Sequence, residues 1–425
     1  MGKVVEIVDS IMGSGKSTSI IDWIDTNYHQ RYIYVSPLLS EVESGGRLHQ
    51  AVSNVEFHSP EDVGDGKSAA MLDLLKAGAN VSCTHSLYKL MTDEHFEAIS
   101  QHDYIVVVDE EIGLIEAFND YSIEDLKWLI KEGFIKVGEN DGMVVWVNQS
   151  VEVACPSHKY YRLRQMCNSG CLYTTKRSDT MLTVQLPSKL LESAKRVIIL
   201  TYLFKGNILD SFLKLKGFES VPFSEPLALQ SICGKKMREL LVIDQPPKNF
   251  KLRNKLTYSW YMNPMKGDLG IVKNAIVRTC KNWGVGADNV LYTYPKYRSA
   301  LSQAKCEKIK PAGYTLNSGG YCWLAASTRA TNNHAHVTHM IHAYNRHTNV
   351  AVASYLQDWD CPVKTDVFAL SEMIQWLWRG CIRNGEVMHV CVFSSRMEKL
   401  LRDWLDGLPT QSAQCTLPIS TGEVK

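Results

Sequence analysis

No stretch of the 425 residues is apolar for long enough to cross a bilayer, and the N-terminus carries no signal-peptide apolar core. A membrane partner is therefore not expected, and a cytoplasmic location is. Met1-Gly2 lacks the Ser or Thr that lipidation would need at position 6, which is Glu6. Charge of one sign is also missing: 46 Lys and Arg against 45 Asp and Glu leave a net charge of +1. That excludes a global basic field, so any nucleic-acid site must be a local patch. There is no internal repeat and no low-complexity tract, which argues against solenoids and disordered linkers. The 12 cysteines are scattered through apolar segments, as at Cys83, Cys322 and Cys391, and read as reduced core thiols. Cys155, His158, Cys167 and Cys171 do offer four ligand-type side chains within 17 positions. Their spacing fits no standard finger and the flanks read as β-hairpin, so zinc is not expected there.

What the chain does carry is alternation. Its length exceeds one hydrophobic core, so two domains are expected. Apolar runs at Val4–Asp9, Tyr32–Ser36, Asn80–Cys83, Tyr104–Asp109 and Val197–Thr201 read as buried strands. Helical patterns such as Ser68–Ala77 and Ser86–Met91 lie between them, giving the βαβ rhythm of a doubly wound parallel sheet. Between about 119 and 186 a helix at Tyr121–Glu132 and short strands near Gly142–Val147 and Met181–Val184 read as a β-rich insertion. Asp244-Gln-Pro-Pro-Lys248 reads as a linker, because adjacent prolines block helix and central strand. The βαβ pattern resumes at Val290–Thr293, Cys322–Ser327 and Val387–Phe393. The expected architecture is α/β: a domain at 1–240 containing the insertion, a linker at 241–248, a second domain at 249–408 and a disordered tail at 409–425.

The most informative segment is Ser10-Ile-Met-Gly-Ser-Gly-Lys-Ser-Thr18, between the apolar run at Val4–Val8 and the amphipathic run at Ile20–Ile24. Strand, glycine-rich loop and helix are the context of a phosphate-binding loop, here with Ser10 in place of the first glycine. Gly13 and Gly15 permit the tight turn that aims backbone N–H groups of Ser14 to Thr18 at phosphate oxygens, and the helix start adds its positive dipole end. Lys16 can reach the β- and γ-phosphates of ATP, and the Ser17 hydroxyl can hold Mg²⁺.

Two further segments carry chemistry. Tyr104-Ile-Val-Val-Val-Asp109-Glu110-Glu111 is a buried strand ending in carboxylates. Asp109 can bind Mg²⁺, and Glu110 can polarise the water that attacks ATP. Leu370–Arg383 reads as a helix stopped by Asn384-Gly385, with Gln375, Arg379 and Arg383 on one stripe at i, i+4 and i+8. Such a stripe suits a triphosphate carried by another domain, with Arg379 or Arg383 as an arginine finger; the plain alternative is two cations at a helix C-terminus.

In their order, these motifs resemble the helicases and translocases of superfamily 2, and among them phage-encoded DEAD/DEAH-type helicase-like proteins, distantly related to the herpesvirus origin-binding helicases. Tyr32-Ile-Tyr-Val-Ser-Pro-Leu-Leu-Ser-Glu41 and Cys83-Thr84-His85-Ser86-Leu87 resemble two segments that contact the nucleic-acid strand. Leu200-Thr-Tyr-Leu-Phe204 resembles the segment coupling ATP state to domain closure, and Arg329-Ala-Thr-Asn332 falls where the second domain contacts ATP and strand. The resemblance implies two RecA-like domains in tandem, ATP and Mg²⁺ as cofactors, and Pro37, Thr84, His85, Thr331 and Asn332 as nucleic-acid contacts. It implies single-stranded or forked DNA as partner, with RNA left open. It also implies work beside replication or recombination proteins, in the host bacterial cytoplasm if the chain is phage-encoded. The family's arginine segment has glycine where this chain has Trp378, and its second arginine falls one position earlier, which favours Arg379 over Arg383. Thr201-Tyr202 stands where Ser-Ala-Thr is usual.

Basic and aromatic side chains alternate at Lys248, Lys251, Arg253, Lys255, Tyr258, Trp260 and Tyr261, at Tyr294 to Arg298, and at His158 to Arg162; each is either a strand contact or a solvated loop. Histidines 334, 336, 339, 342 and 347 have no nearby carboxylate and read as helix surface. The expected function is an ATP-dependent motor. An ATP-dependent switch or assembly module that binds DNA without unwinding it is the alternative, and a phosphate-loop nucleoside kinase a third reading.

Overall fold

The computed structural model describes residues 3–62, 66–139, 142–148, 155, 157–230, 234–295, 309–314, 322–328 and 333–408. They form two compact units. The first takes the described residues of Met1–Ser10, Ile20–Pro226 and Thr348–Phe368, and the second those of Ile11–Ser19, Leu227–His347 and Ala369–Lys425.

The first unit is built on a seven-stranded sheet. Its strands are β1 (Val4–Asp9), β2 (Tyr32–Ser36), β3 (Phe57–His58), β4 (Asn80–Thr84), β5 (Ile105–Val108), β11 (Arg196–Thr201) and β12 (Glu219–Pro222), in the order β12-β1-β11-β5-β2-β4-β3. Every neighbouring pair is parallel. The run Ile105-Val-Val-Val108 is buried throughout, as a strand covered on both faces must be. One face packs on the helices Lys67–Lys76, Asp93–Gln101 and Ile208–Leu215 through Met71, Leu75, Phe96, Ile99, Phe212 and Leu213. The helix Val350–Asp358 joins the same core through Val352, Tyr355 and Leu356.

The first unit carries a β-rich insertion, whose first strand begins at Ile115, ahead of the expected start near 119. Strands β6 (Ile115–Phe118), β10 (Ser178–Gln185) and β9 (Leu172–Thr175) form an antiparallel sheet, and β7 (Ile135–Val137) pairs with β8 (Val144–Trp146) as a second antiparallel ribbon. They share a core of Phe118, Leu126, Leu129, Ile135, Trp146 and Leu163.

The second unit holds a parallel four-stranded sheet in the order β13-β16-β15-β14: β13 (Leu241–Asp244), β14 (Val290–Thr293), β15 (His339–His342) and β16 (Met388–Val392). Three elements differ from expectation. Leu241–Asp244, read as part of the linker, is an edge strand, because the prolines act only after Asp244 and Leu241-Val-Ile243 is a good β sequence. The expected strand at Cys322–Ser327 is reduced to a single bridge between Trp323 and Tyr292. The central position beside β14 goes instead to His339–His342, which had read as helix surface. The expected tail at 409–425 lies outside the described residues.

Candidate functional site

The register aligns three strand ends in the first unit. Asp9 of β1 sits beside Thr201 of β11, and Ile199 of β11 beside Val108 of β5. The strand that leads into the glycine-rich loop and the strand that ends in carboxylates therefore flank one strand, at its C-terminal end. In parallel α/β sheets this is the edge where ligands bind.

After Asp9, the Ser10 N–H donates to the Thr201 carbonyl at 3.1 Å, and the chain then turns. Gly13 and Gly15 have φ of 76° and 86°, a region costly for any residue with a Cβ. The helix Lys16–Thr26 begins directly afterwards, with Ser17 and Thr18 in its first turn. Lys16 Nζ donates to the Ile11 carbonyl at 3.0 Å, so the cation lies folded over its own loop. The Ser14 carbonyl accepts from the Gln230 N–H at 2.8 Å, and Ser19 Oγ donates to the Ala228 carbonyl at 3.0 Å. A Cβ on Gly13 would stand 3.4 Å from Trp378 Nε1, so Trp378 packs against the loop within the second unit.

Asp109 is fixed at all three of its polar groups. Its N–H donates to the Val35 carbonyl at 2.7 Å, its carboxylate accepts from Tyr34 Oη at 2.9 Å, and its carbonyl accepts from His85 Nε2 at 2.9 Å. Burial, followed by the Asp109 charge, pushes the Tyr34 phenol well above its ordinary value, so it remains a donor. Glu110 follows with φ of 62°, left-handed backbone that is uncommon for a residue with a side chain. Its neighbour Glu111 accepts from Asn207 Nδ2 at 3.4 Å, and Asp9 accepts from the Phe204 N–H at 3.0 Å. The turn after β11 thus reaches residues on both sides of it. The Asp109 carboxylate and Ser17 hydroxyl are hard oxygen donors, the chemistry that suits Mg²⁺ rather than a thiophilic metal. Tyr34 and Asn207 escaped sequence reasoning as partners of these carboxylates, and His85 as the partner of the Asp109 carbonyl, because their pairing depends on strand order.

The arginine segment is not one helix. The helix Thr365–Leu377 ends before Arg379, and Arg379 and Gly380 close i to i+3 turns on Trp376 and Leu377. Gly380 then runs extended; a Cβ there would meet Met388 Sδ at 2.6 Å and Met340 Sδ at 2.9 Å. The Cys381 N–H is captured by the Val337 carbonyl, which pulls the chain out of the helix. The common stripe of Gln375, Arg379 and Arg383 is therefore lost. Gln375 stays on the last helical turn and donates to Ser371 Oγ, Arg379 is buried in the following turn, and Arg383 is exposed on the 3-10 turn Cys381–Asn384.

Pro37 and the Thr84–His85 pair come together, since Ser36 of β2 is registered with Thr84 of β4. Thr84 Oγ1 caps the short helix His85–Tyr88 by accepting from the Leu87 N–H. Thr331 and Asn332 lie outside the described residues, as do Lys296, Tyr297 and Arg298. Lys248, Lys251, Lys255 and Tyr258 are exposed, whereas Arg253 is committed to an ion pair with Glu398. Lys159 pairs with Asp125, which Tyr160 also bonds. Among the candidate zinc ligands, Cys155 is exposed beside Ser157, and Cys167 and Cys171 are buried. Among the described residues, no three His, Cys, Asp or Glu side chains are grouped so as to hold a metal ion. Nor is any described helix long and apolar enough to cross a membrane.

Residues 235–405 match the family described as "YonV C-terminal Rossmann-like domain". Over 424 residues the chain is 28% identical to the "SPbeta prophage-derived uncharacterized protein YonV" of Bacillus subtilis strain 168, covering 95% of this chain and 98% of that one. Among solved structures it is similar to an XPD helicase, with a TM-score of 0.51 and 11% identity over 94% of each chain. That likeness, with the two parallel sheets, shows the fold: tandem RecA-like α/β domains, the first with a β-rich insertion.

Proposed function

We propose that the chain is an ATP-driven nucleic-acid helicase or translocase. The observation that carries this reading is the alignment of β1, β11 and β5. It brings the Asp109-Glu110 end within two strand spacings, about 10 Å, of the strand end that opens the glycine-rich loop. The loop backbone from Gly13 to Thr18 would cradle the phosphates of ATP, with Lys16 leaving Ile11 to neutralise the β- and γ-phosphates. Ser17 and Asp109 would hold Mg²⁺, which supplies charge to the phosphoryl group when bound. Glu110 accepts a proton from the attacking water. Arg379, with Gln375 and Arg383, is assigned to charge developing at the γ-phosphate; burial and packing beside Trp378 favour Arg379.

The strand partner is single-stranded or forked DNA, or RNA, contacted around Pro37, Thr84, His85, Thr331 and Asn332. The prophage origin of the YonV relative supports work on a phage genome in a bacterial cytoplasm, beside replication or recombination proteins. The test is the ATP hydrolysis rate against single-stranded, forked and duplex DNA and RNA. Stimulation by a strand is expected. Hydrolysis indifferent to every polymer, or phosphate transfer to a nucleoside, would overturn the reading.

A further inference from the structure

The His85 imidazole does something other than face a strand: its Nε2 lies 2.9 Å from the backbone carbonyl of Asp109. A carbonyl only accepts, so Nε2 carries the hydrogen. The carbonyl belongs to the peptide that joins Asp109 to Glu110, and Glu110 is the residue with φ of 62°. Turning that peptide over would take Glu110 out of its left-handed conformation to ordinary negative φ. The Asp109 N–H is tied to Val35 and its carboxylate to Tyr34, which hold the residue itself in place. The bond from His85 acts directly on this carbonyl's direction. His85 itself opens the short helix His85–Tyr88, whose cap Thr84, with Leu87, lines a groove of about 300 Å³ together with Leu39 and Val42.

We infer that His85 is a positioning residue: it holds the Asp109–Glu110 peptide so that Glu110 keeps its left-handed conformation, and it links the Thr84–Leu87 turn to hydrolysis. This rests on the proposed role of Glu110 in ATP hydrolysis. A strand seated on that turn would act on Glu110 through one imidazole, with no rearrangement of the sheet.

The test compares steady-state ATP turnover, KM for ATP, single-stranded DNA affinity and melting temperature for His85→Ala, His85→Asn and His85→Gln in the full chain. Glutamine places an amide N–H near the Nε2 position; asparagine, of the same chemistry, falls short of the carbonyl. The expected result is a drop in kcat at saturating ATP and DNA of about tenfold or more for Ala and Asn, with KM for ATP within about threefold, and recovery of kcat to within about threefold for Gln. If Ala fails to fold, Asn against Gln gives the same comparison. Wild-type kcat in Ala and Asn would overturn the inference alone, as would lost DNA affinity with kcat intact, or equal losses in Asn and Gln. Absence of ATP hydrolysis by the wild-type chain would instead overturn the parent reading, and this one with it.

Discussion

Replacing Tyr34 with phenylalanine probes the carboxylate site with little change in shape. The ring stays in the core; only the hydroxyl that donates to Asp109 Oδ2 at 2.9 Å is removed. A buried hydrogen bond to a charged acceptor is worth about 1.5–3 kcal/mol, so Tyr34→Phe should lose roughly that much stability by denaturant titration. The functional effect should be larger. Tyr34 orients a proposed Mg²⁺ ligand, and loss of such an outer partner typically weakens metal affinity by about 10–100-fold. The Mg²⁺ concentration giving half-maximal ATP hydrolysis should therefore rise by about that factor, while nucleotide affinity in excess Mg²⁺ changes little. The assay is ATP turnover across a Mg²⁺ titration, alongside nucleotide binding. An unchanged Mg²⁺ requirement in a variant that has lost the expected stability would refute Asp109 as the metal ligand.

Other expectations follow from the same geometry. Lys16→Ala should abolish turnover, because it removes the loop's cation from the β- and γ-phosphates; hydrolysis at the wild-type rate would reject the phosphate loop. Arg379→Ala should cut turnover by about 10³-fold with ATP affinity within a few fold, and Arg383→Ala should cost far less, since Arg383 is exposed on a separate turn; equal effects would reject the assignment. Burial, with Arg346 nearby, lowers the His342 pKa from 6.5 to about 3. A histidine that is neutral when folded and titrates normally when unfolded stabilises the fold fully above pH 6.5. That contribution drains as pH falls towards 3, by at most about 1.4 kcal/mol per pH unit. His342→Gln should flatten the melting temperature across that window, and an unchanged slope would contradict the burial argument.

The parallel sheet of the first unit was legible because buried central strands announce themselves as β-branched runs: β1 and β2 fall where the apolar runs predict. The loop was legible for a local reason, as glycine spacing, lysine and helix start all lie within nine residues from Ser10 to Thr18. Strand β15 was not, since His339-Met-Ile-His342 mixes polar and apolar residues and only its neighbours β14 and β16 make it a strand. The arginine stripe failed at Gly380, where the Val337 carbonyl and the close approach of Met388 and Met340 override a good helical pattern. The return of Thr348–Phe368 to the first unit, and the bonds from Tyr34 and His85 to Asp109, depend on which strands become neighbours, and periodicity says nothing about that.

The central claim is that Glu110 drives hydrolysis of ATP held by the glycine-rich loop. It is tested most directly by steady-state ATP turnover of Glu110→Gln beside the wild-type chain at saturating single-stranded DNA, with ATP affinity measured on the same preparations. The account predicts strand-stimulated turnover in the wild type, and in the variant a loss of about 10²–10⁴-fold with ATP affinity retained. Full turnover in Glu110→Gln, or a loss explained wholly by weaker ATP binding, would contradict it.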